Sequence, residues 1–246
     1  MNDLYLSLMR KCILNTIYED QPMQPYQAGV QFSMLSRDQG LDWPSLAHSM
    51  IGNQRLTNIQ SLGKIVLEEK IEGDFIETGV WRGGACIFMR AILKAYNDTA
   101  RTVWVADSFE GLPKPSAAYP DDVTGPEFHA FKELAVSLEQ VKSNFAKYDL
   151  LDGQVKFLKG WFKDTLPSAP IQKLALLRLD GDMYESTMDS LSALYPKLSK
   201  GGFIIIDDYG VLPICKKAVT DYRARVGSTE MIHPIDASGV FWRKET

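Results

Sequence analysis

The chain is poor in the features that mark secreted, membrane-bound or nucleic-acid-binding proteins. Only three of its 246 residues are cysteines, Cys12, Cys86 and Cys215. They are odd in number and widely separated, so neither a disulfide framework nor a zinc site is expected, and a reducing cytoplasm fits. No stretch approaches the roughly 18 uncharged apolar residues of a membrane span. The opening residues, Met1-Asn2-Asp3-Leu4-Tyr5-Leu6, put an acid where a signal peptide wants positive charge, and Arg10-Lys11 interrupts the apolar run. Positive charge is in short supply overall. The net charge of -4 and pI near 5.5 argue against a nucleic-acid or anionic-membrane partner. No internal repeat or low-complexity tract occurs.

Two nucleotide-site patterns are also missing. The glycines after the first expected strand sit at 79, 83 and 84, which is not G-x-G-x-x-G, and no Gly-Lys-Ser/Thr follows. A glycine-rich turn from strand to helix still lets backbone approach a ligand and offers unpaired N–H groups. A ligand without phosphates suits such a turn, and a NAD-dependent dehydrogenase does not.

The chain has an ordinary globular composition, 45% hydrophobic and 24% charged, enough for one large α/β domain or two small ones. Its organising stretch runs from Leu174 to Tyr209. Leu174–Leu179 and Gly202–Ile206 are apolar runs of strand length, ending at Asp180 and at Asp207-Asp208. Between them Met188, Leu191, Leu194, Tyr195 and Leu198 recur at helical spacing. Strand, helix, strand predicts two parallel neighbours, with their C-terminal ends on one edge of the sheet. Open α/β sheets bind ligands along that edge. Aspartate after a strand is often a turn or cap residue, but three of them converging at one point repel unless something positive lies between. Oxygen ligands favour Mg²⁺, Ca²⁺ or Mn²⁺.

Earlier strands are expected at Gly73–Gly79, Thr102–Asp107 and Val155–Lys159, with a helix over Ala85–Tyr96. Asp107 ends the second strand, where a carboxylate can accept hydrogen bonds from ribose hydroxyls. Helices are expected over residues 1–20, with Leu4, Leu8, Cys12 and Ile13 on one face, over 45–69 with a break at Gly52-Asn53, over 127–148 and over 211–226. His129 reads as a surface or packing residue. Residues 21–44, with Pro22, Pro25, Tyr26, Phe32 and Trp43, form an irregular segment that covers a substrate pocket or a dimer interface. Residues 108–126 are long and irregular enough for a lid or binding loop. A hairpin turning at Asp236–Gly239 closes the chain. Residues 73–246 then make one domain with a seven-stranded, mostly parallel sheet, the methyltransferase variant of the doubly wound fold, and residues 1–72 precede it.

Four ordered motifs resemble those of the macrocin O-methyltransferase family. They are Glu77-Thr78-Gly79-Val80-Trp81-Arg82-Gly83-Gly84, Asp107-Ser108-Phe109-Glu110-Gly111-Leu112-Pro113, Leu179-Asp180-Gly181-Asp182-Met183-Tyr184-Glu185-Ser186-Thr187 and Ile206-Asp207-Asp208-Tyr209-Gly210. The resemblance extends from about Asp20 to the Gly239–Arg243 end. It implies a Rossmann-like class I fold, S-adenosylmethionine, Mg²⁺ and methylation of a sugar hydroxyl, on a glycoside of a natural product such as an antibiotic. Glu77, Thr78, Gly79 and Gly83 would then cradle the methionine portion, Asp107 and Ser108 the ribose, and Gly160-Trp161 would border the adenine. Asp180, Asp207 and Asp208 match the metal ligands, and Asp180 also matches the general base beside the donor. A homo-oligomer is expected. A phenol or catechol acceptor suits the same metal geometry. A haloacid-dehalogenase-like phosphohydrolase would explain Asp180-Gly181-Asp182 and Asp207-Asp208. It places its D-x-D on an early strand, however, with a threonine just after it, and here Met183-Tyr184-Glu185 follows. A non-catalytic binding protein on the same scaffold would not need all three acids.

Overall fold

A computed structural model describes residues 2–23 and 27–245, so Pro25 and Tyr26 of the irregular segment lie outside the described residues. The elements run α1 Asn2–Ile13, α2 Met34–Gln39, α3 Gly52–Glu68, β1 Asp74–Thr78, α4 Gly84–Ala95, β2 Val103–Asp107, α5 Pro120–Val123, α6 Leu138–Ala146, β3 Val155–Lys159, α7 Phe162–Thr165, β4 Leu174–Leu179, α8 Tyr184–Leu194, β5 Leu198–Ile206, α9 Pro213–Val226, β6 His233–Pro234 and β7 Val240–Arg243. One sheet of seven strands has the order β3-β2-β1-β4-β5-β7-β6, with β7 antiparallel to both β5 and β6 and the other pairs parallel. The expected parallel β4–β5 neighbours pair Leu177 with Ile204 and Leu179 with Ile206.

Both faces of the sheet are covered, which is why its central strands are apolar without alternation. On one face Phe75, Val103, Val105 and Phe203 pack with Leu56, Ile59, Phe88 and Ile92 of α3 and α4. Leu6, Met9 and Ile13 of α1 join the same cluster. On the other face Ile76, Trp104, Leu177, Ile204 and Ile206 meet Leu191, Leu194, Val219 and Tyr222 of α8 and α9. The first 72 residues therefore share a core with the sheet.

Three expected helices differ in the structure. In α1 the buried face is Leu6, Met9 and Ile13, while Leu4 and Leu8 are exposed. That helix carries apolar residues on two faces, and only packing on α4 selects one. The helix expected over 45–69 starts at Gly52, whose φ of +78° and missing side chain let the backbone of Gly40 approach. The helix expected over 127–148 is mostly absent. Two 3₁₀ turns, Phe128–Ala130 and Lys132–Leu134, precede an α6 that begins at Leu138. Ser137 caps it, its side chain accepting from the Gln140 N–H at 3.2 Å, which gives the backbone an alternative to continuing the helix backwards.

The irregular segment before α3 is held by a buried guanidinium. Arg37, inaccessible to solvent, donates to both oxygens of Asp42, to the Leu14 carbonyl at 2.7 Å and to the Asp20 carbonyl at 2.6 Å. Asp20 in turn accepts from the N–H groups of Leu46 and Ala47, both at 2.8 Å. Removing the arginine leaves a buried carboxylate and two carbonyls unpaired. Arg37→Met is expected to lower unfolding stability by about 3–5 kcal/mol. Urea unfolding at the wild-type midpoint would show that the staple contributes nothing.

Candidate active site

The C-terminal edge of the sheet is level because the ladder continues one residue past the strands. The Gly79 N–H donates to Ala106, Gly160 to Asp107, Asp180 to Thr78 and Asp207 to Leu179, each at 2.9 Å. The residues that end four strands are thereby set side by side, and above them lies a cavity of about 600 Å³. That is a volume suited to a cofactor together with part of a second ligand. Glu77, Gly79, Asp107, Ser108, Gly160, Trp161, Asp180, Asp207 and Asp208 all line it. Thr78 and Gly83 do not. Strand alternation turns Thr78 away from the side of Glu77, and Gly83, with φ +86°, is packed under Val141 and Phe145. His129 also lies outside the cavity wall.

In one half, the glycine turn and Asp107 form a unit. Asp107 accepts from the Val80 N–H and the Phe109 N–H, both at 2.7 Å, so it fixes the turn after β1 and the start of the long loop together. Burial pushes its carboxyl up, and the backbone donors pull it down. Gly79 has φ +81°, and a β-carbon there would sit 1.7 Å from the Asp180 carbonyl oxygen. Only glycine lets the turn after β1 and the acid cluster approach so closely.

In the other half, Asp180, Asp207 and Asp208 present ligand atoms within 4.8 Å of one another. Asp182 joins them at the cavity wall. Burial and then repulsion from Asp207 push Asp180 up to about 6, and burial with repulsion from Asp180 and Asp207 takes Asp182 to about 8. Asp208 is pushed well above the carboxylate range by burial and by its acidic neighbours, and its Oδ2 is buried without a hydrogen-bond partner. Part of the positive charge such a cluster needs comes from two arginines. Arg178 pairs with Glu77, with Asp207 and, at 2.8 Å, with Asp180 Oδ2. Arg55, from α3, pairs with Asp207 and, at 3.0 Å, with Asp236. They do not satisfy Asp208 or Asp182, and oxygen donors that repel one another with an orphaned buried oxygen among them fit a divalent cation.

Arg178, Arg55, Asp182 and Asp236 are site residues absent from the sequence-based set. Arg178 left a readable signal, since a charged residue inside an otherwise apolar buried strand must be paired. Arg55 left none, because its partners lie 152 and 181 residues away. The wall opposite the sheet comes from the N-terminal segment, with Gln39–Leu41, Trp43, His48–Ile51 and Gln54. His48 is held neutral, pushed down to about 4 by burial and the nearby Lys147 and Arg82, and its Nδ1 lies 2.7 Å from the Tyr148 hydroxyl.

Comparison with known proteins places the chain in a family. The profile of the family Macrocin-O-methyltransferase (TylF) matches residues 2–244. This chain belongs to that family. It is 54% identical to the 8-demethyl-8-(2,3-dimethoxy-alpha-L-rhamnosyl)-tetracenomycin-C 4'-O-methyltransferase of Streptomyces olivaceus, over 98% of this chain and 92% of that protein. It is 49% identical to the mycinamicin III 3''-O-methyltransferase of Micromonospora griseorubida, over 98% and 96% of the two chains. The solved structure of the O-methyltransferase NovP superposes with a TM-score of 0.94 at 49% identity, covering 100% of both chains. The fold is thus the Rossmann-like class I methyltransferase fold, and the macrocin-family chain is an O-methyltransferase. Among the described residues no helix is long and apolar enough to cross a membrane.

The close approach at Gly79 yields a direct test. Gly79→Ala combines a positive φ with a clash against Asp180, and is expected to destabilise by at least about 1–3 kcal/mol. Thermal unfolding that matched wild type would mean the turn relaxes without disturbing Asp180.

Proposed function

We propose that this macrocin-family chain transfers a methyl group from S-adenosylmethionine to a sugar hydroxyl of a natural-product glycoside, with the help of a divalent cation. The observation that carries the reading is the single cavity in which the Asp107 half and the acid cluster meet at Asp180. The family implies the donor, and its relatives act on sugars attached to antibiotics.

The donor lies along the strand ends in this reading. Asp107, at the cavity wall, accepts from ribose hydroxyls, Gly160-Trp161 border the base, and Glu77 with the Gly79 turn receive the methionine end. Asp180, Asp207 and Asp208 would hold Mg²⁺, which when bound orients neighbouring oxygens and lowers the cost of deprotonating a hydroxyl. Asp180 is the base. Arg178 takes one lone pair of its Oδ2, and the carboxylate keeps others for the cation and for the acceptor proton. As the hydroxyl oxygen attacks the methyl carbon, the carbon–sulfur bond breaks and its electron pair stays on sulfur. The products are the methyl ether and S-adenosylhomocysteine, and the proton leaves Asp180 to solvent. The sulfonium is already an activated donor, so the chain's main task is in-line placement and exclusion of water. The N-terminal wall, with Leu41, Trp43 and Met50 facing the cavity, is the acceptor's cover. The first 72 residues thus act as an acceptor segment on the methyltransferase domain of residues 73–246.

Three measurements test the two halves. Asp107→Ala is expected to weaken S-adenosylhomocysteine binding by about 1.5–3 kcal/mol, the size of hydrogen bonds to a charged group. Calorimetry giving wild-type affinity in a folded variant would remove Asp107 from the donor site. Asp180→Asn is expected still to bind S-adenosylhomocysteine while lowering kcat by about 10²–10⁴-fold on a panel of glycosides. Chelation should inactivate the wild type and Mg²⁺ restore it, whereas full turnover in excess EDTA would sink the cation's role.

A further inference from the structure

Arg178 occupies an unusual position between the two halves of the cavity. It is inaccessible to solvent, and its guanidinium reaches acids from three strands. Nη1 divides its two N–H groups between Glu77 on β1 and Asp180 at the end of β4, and Nη2 donates to Asp207 beyond β5. Glu77 faces the donor side and lines the cavity, with its second oxygen 3.0 Å from the Cys86 thiol. Asp180 and Asp207 belong to the acid cluster. Arg55, by contrast, reaches the cluster from outside and, among the described residues, pairs with Asp207 and Asp236.

We propose that Arg178 is a positioning residue that makes donor binding and cation binding interdependent. The inference rests on the reading that Glu77 faces the donor and that Asp180 and Asp207 hold the cation. A guanidinium is a rigid planar fork, so its N–H groups move together. A cation that draws Asp180 and Asp207 toward itself changes the pull on the group that aims Glu77. With no solvent access, water does not replace a weakened partner, and the change is passed on to Glu77 instead of being absorbed. A donor that engages Glu77 changes the hold on Asp180 and Asp207 by the same route. Two sites that share one buried counter-ion must alter each other's affinity, and by equal factors in both directions.

Calorimetry with S-adenosylhomocysteine and MgCl₂ tests this without turnover. S-adenosylhomocysteine lacks the sulfonium charge, so direct repulsion between that charge and Mg²⁺ plays no part. In the wild type its Kd is expected to differ by about fivefold or more between EDTA and saturating Mg²⁺, with the Mg²⁺ Kd changed by the same factor when the nucleoside is saturating. Glu77→Gln cuts only the donor end of the chain, and should bring that ratio within about twofold of one while Mg²⁺ alone still binds. Arg178→Lys keeps the charge without the fork and should do likewise; if it does not fold, Glu77→Gln decides. A wild-type ratio near one, with both ligands binding, would overturn the inference and leave the functional reading standing, as would full coupling in Glu77→Gln. A wild type that binds no Mg²⁺ would overturn both.

Discussion

Carboxylates gathered at the end of a buried sheet need charge set against them, and the pairing of Arg178 with Glu77, Asp180 and Asp207 supplies it. The arginine is the next-to-last residue of the most buried strand, two residues before Asp180, so its side chain runs beneath the cavity floor. Taking two unlike charges out of water is expensive, and the attraction repays that cost only when every acid is well placed. Removing one member of such a set leaves the others uncompensated, so the positions of Glu77, Asp180 and Asp207 are constrained jointly. Arg55 adds a second clamp from the opposite wall. It ties Asp207 and the Asp236 turn before β7 to the helix that follows the irregular N-terminal segment.

The rest of the architecture sets these groups at one level. Parallel pairing carries β1, β2, β3, β4 and β5 to a common edge, and the extra backbone bonds of Gly79, Gly160, Asp180 and Asp207 extend that edge by one residue. Gly79 is the tightest point, since its lack of a side chain is what lets the glycine turn rest on the Asp180 backbone. A change in either half of the cavity therefore meets the other half through backbone at Gly79 and through charge at Arg178.

Much of this was legible in the sequence, and the limit has a physical pattern. The strands were readable because fully buried parallel strands are unbroken apolar runs that stop at polar residues, as Leu174–Leu179 does at Asp180. The aspartates were readable because their place follows from strand ends alone. The charge that offsets them was not assigned, since Arg55 finds its partners only after the fold has closed. The helix expected at 127–148 failed because Phe128, Phe131 and Leu134 are spaced for a helix but serve two short 3₁₀ turns, with Phe128 and Leu134 facing the cavity. Apolar periodicity reports what is buried, and a ligand cavity buries side chains as a core does. The exposed face of α1 failed differently: Leu4 and Leu8 have the right spacing, and only the position of α4 shows that Leu6 and Met9 are the inner pair.

The division of the cavity follows the same logic of charge and shape. Its floor is ionic and its position fixed by the sheet, so the chemistry done there depends little on the acceptor's outer part. Its opposite wall is built from Gln39, Leu41, Trp43, Met50 and Gln54, on a segment that carries no strand of the sheet and is fastened by Arg37, Asp20 and Asp42. That staple lies away from the acids and holds the segment through Asp42 and two backbone carbonyls, so a cavity-facing side chain such as Leu41 can change without disturbing it. A fixed ionic floor facing a separately fastened wall lets the wall vary while the floor keeps its geometry. The wall is therefore written in the first 54 residues and the long loop, whose positions depend on tertiary contacts, and the floor is written in the strand ends.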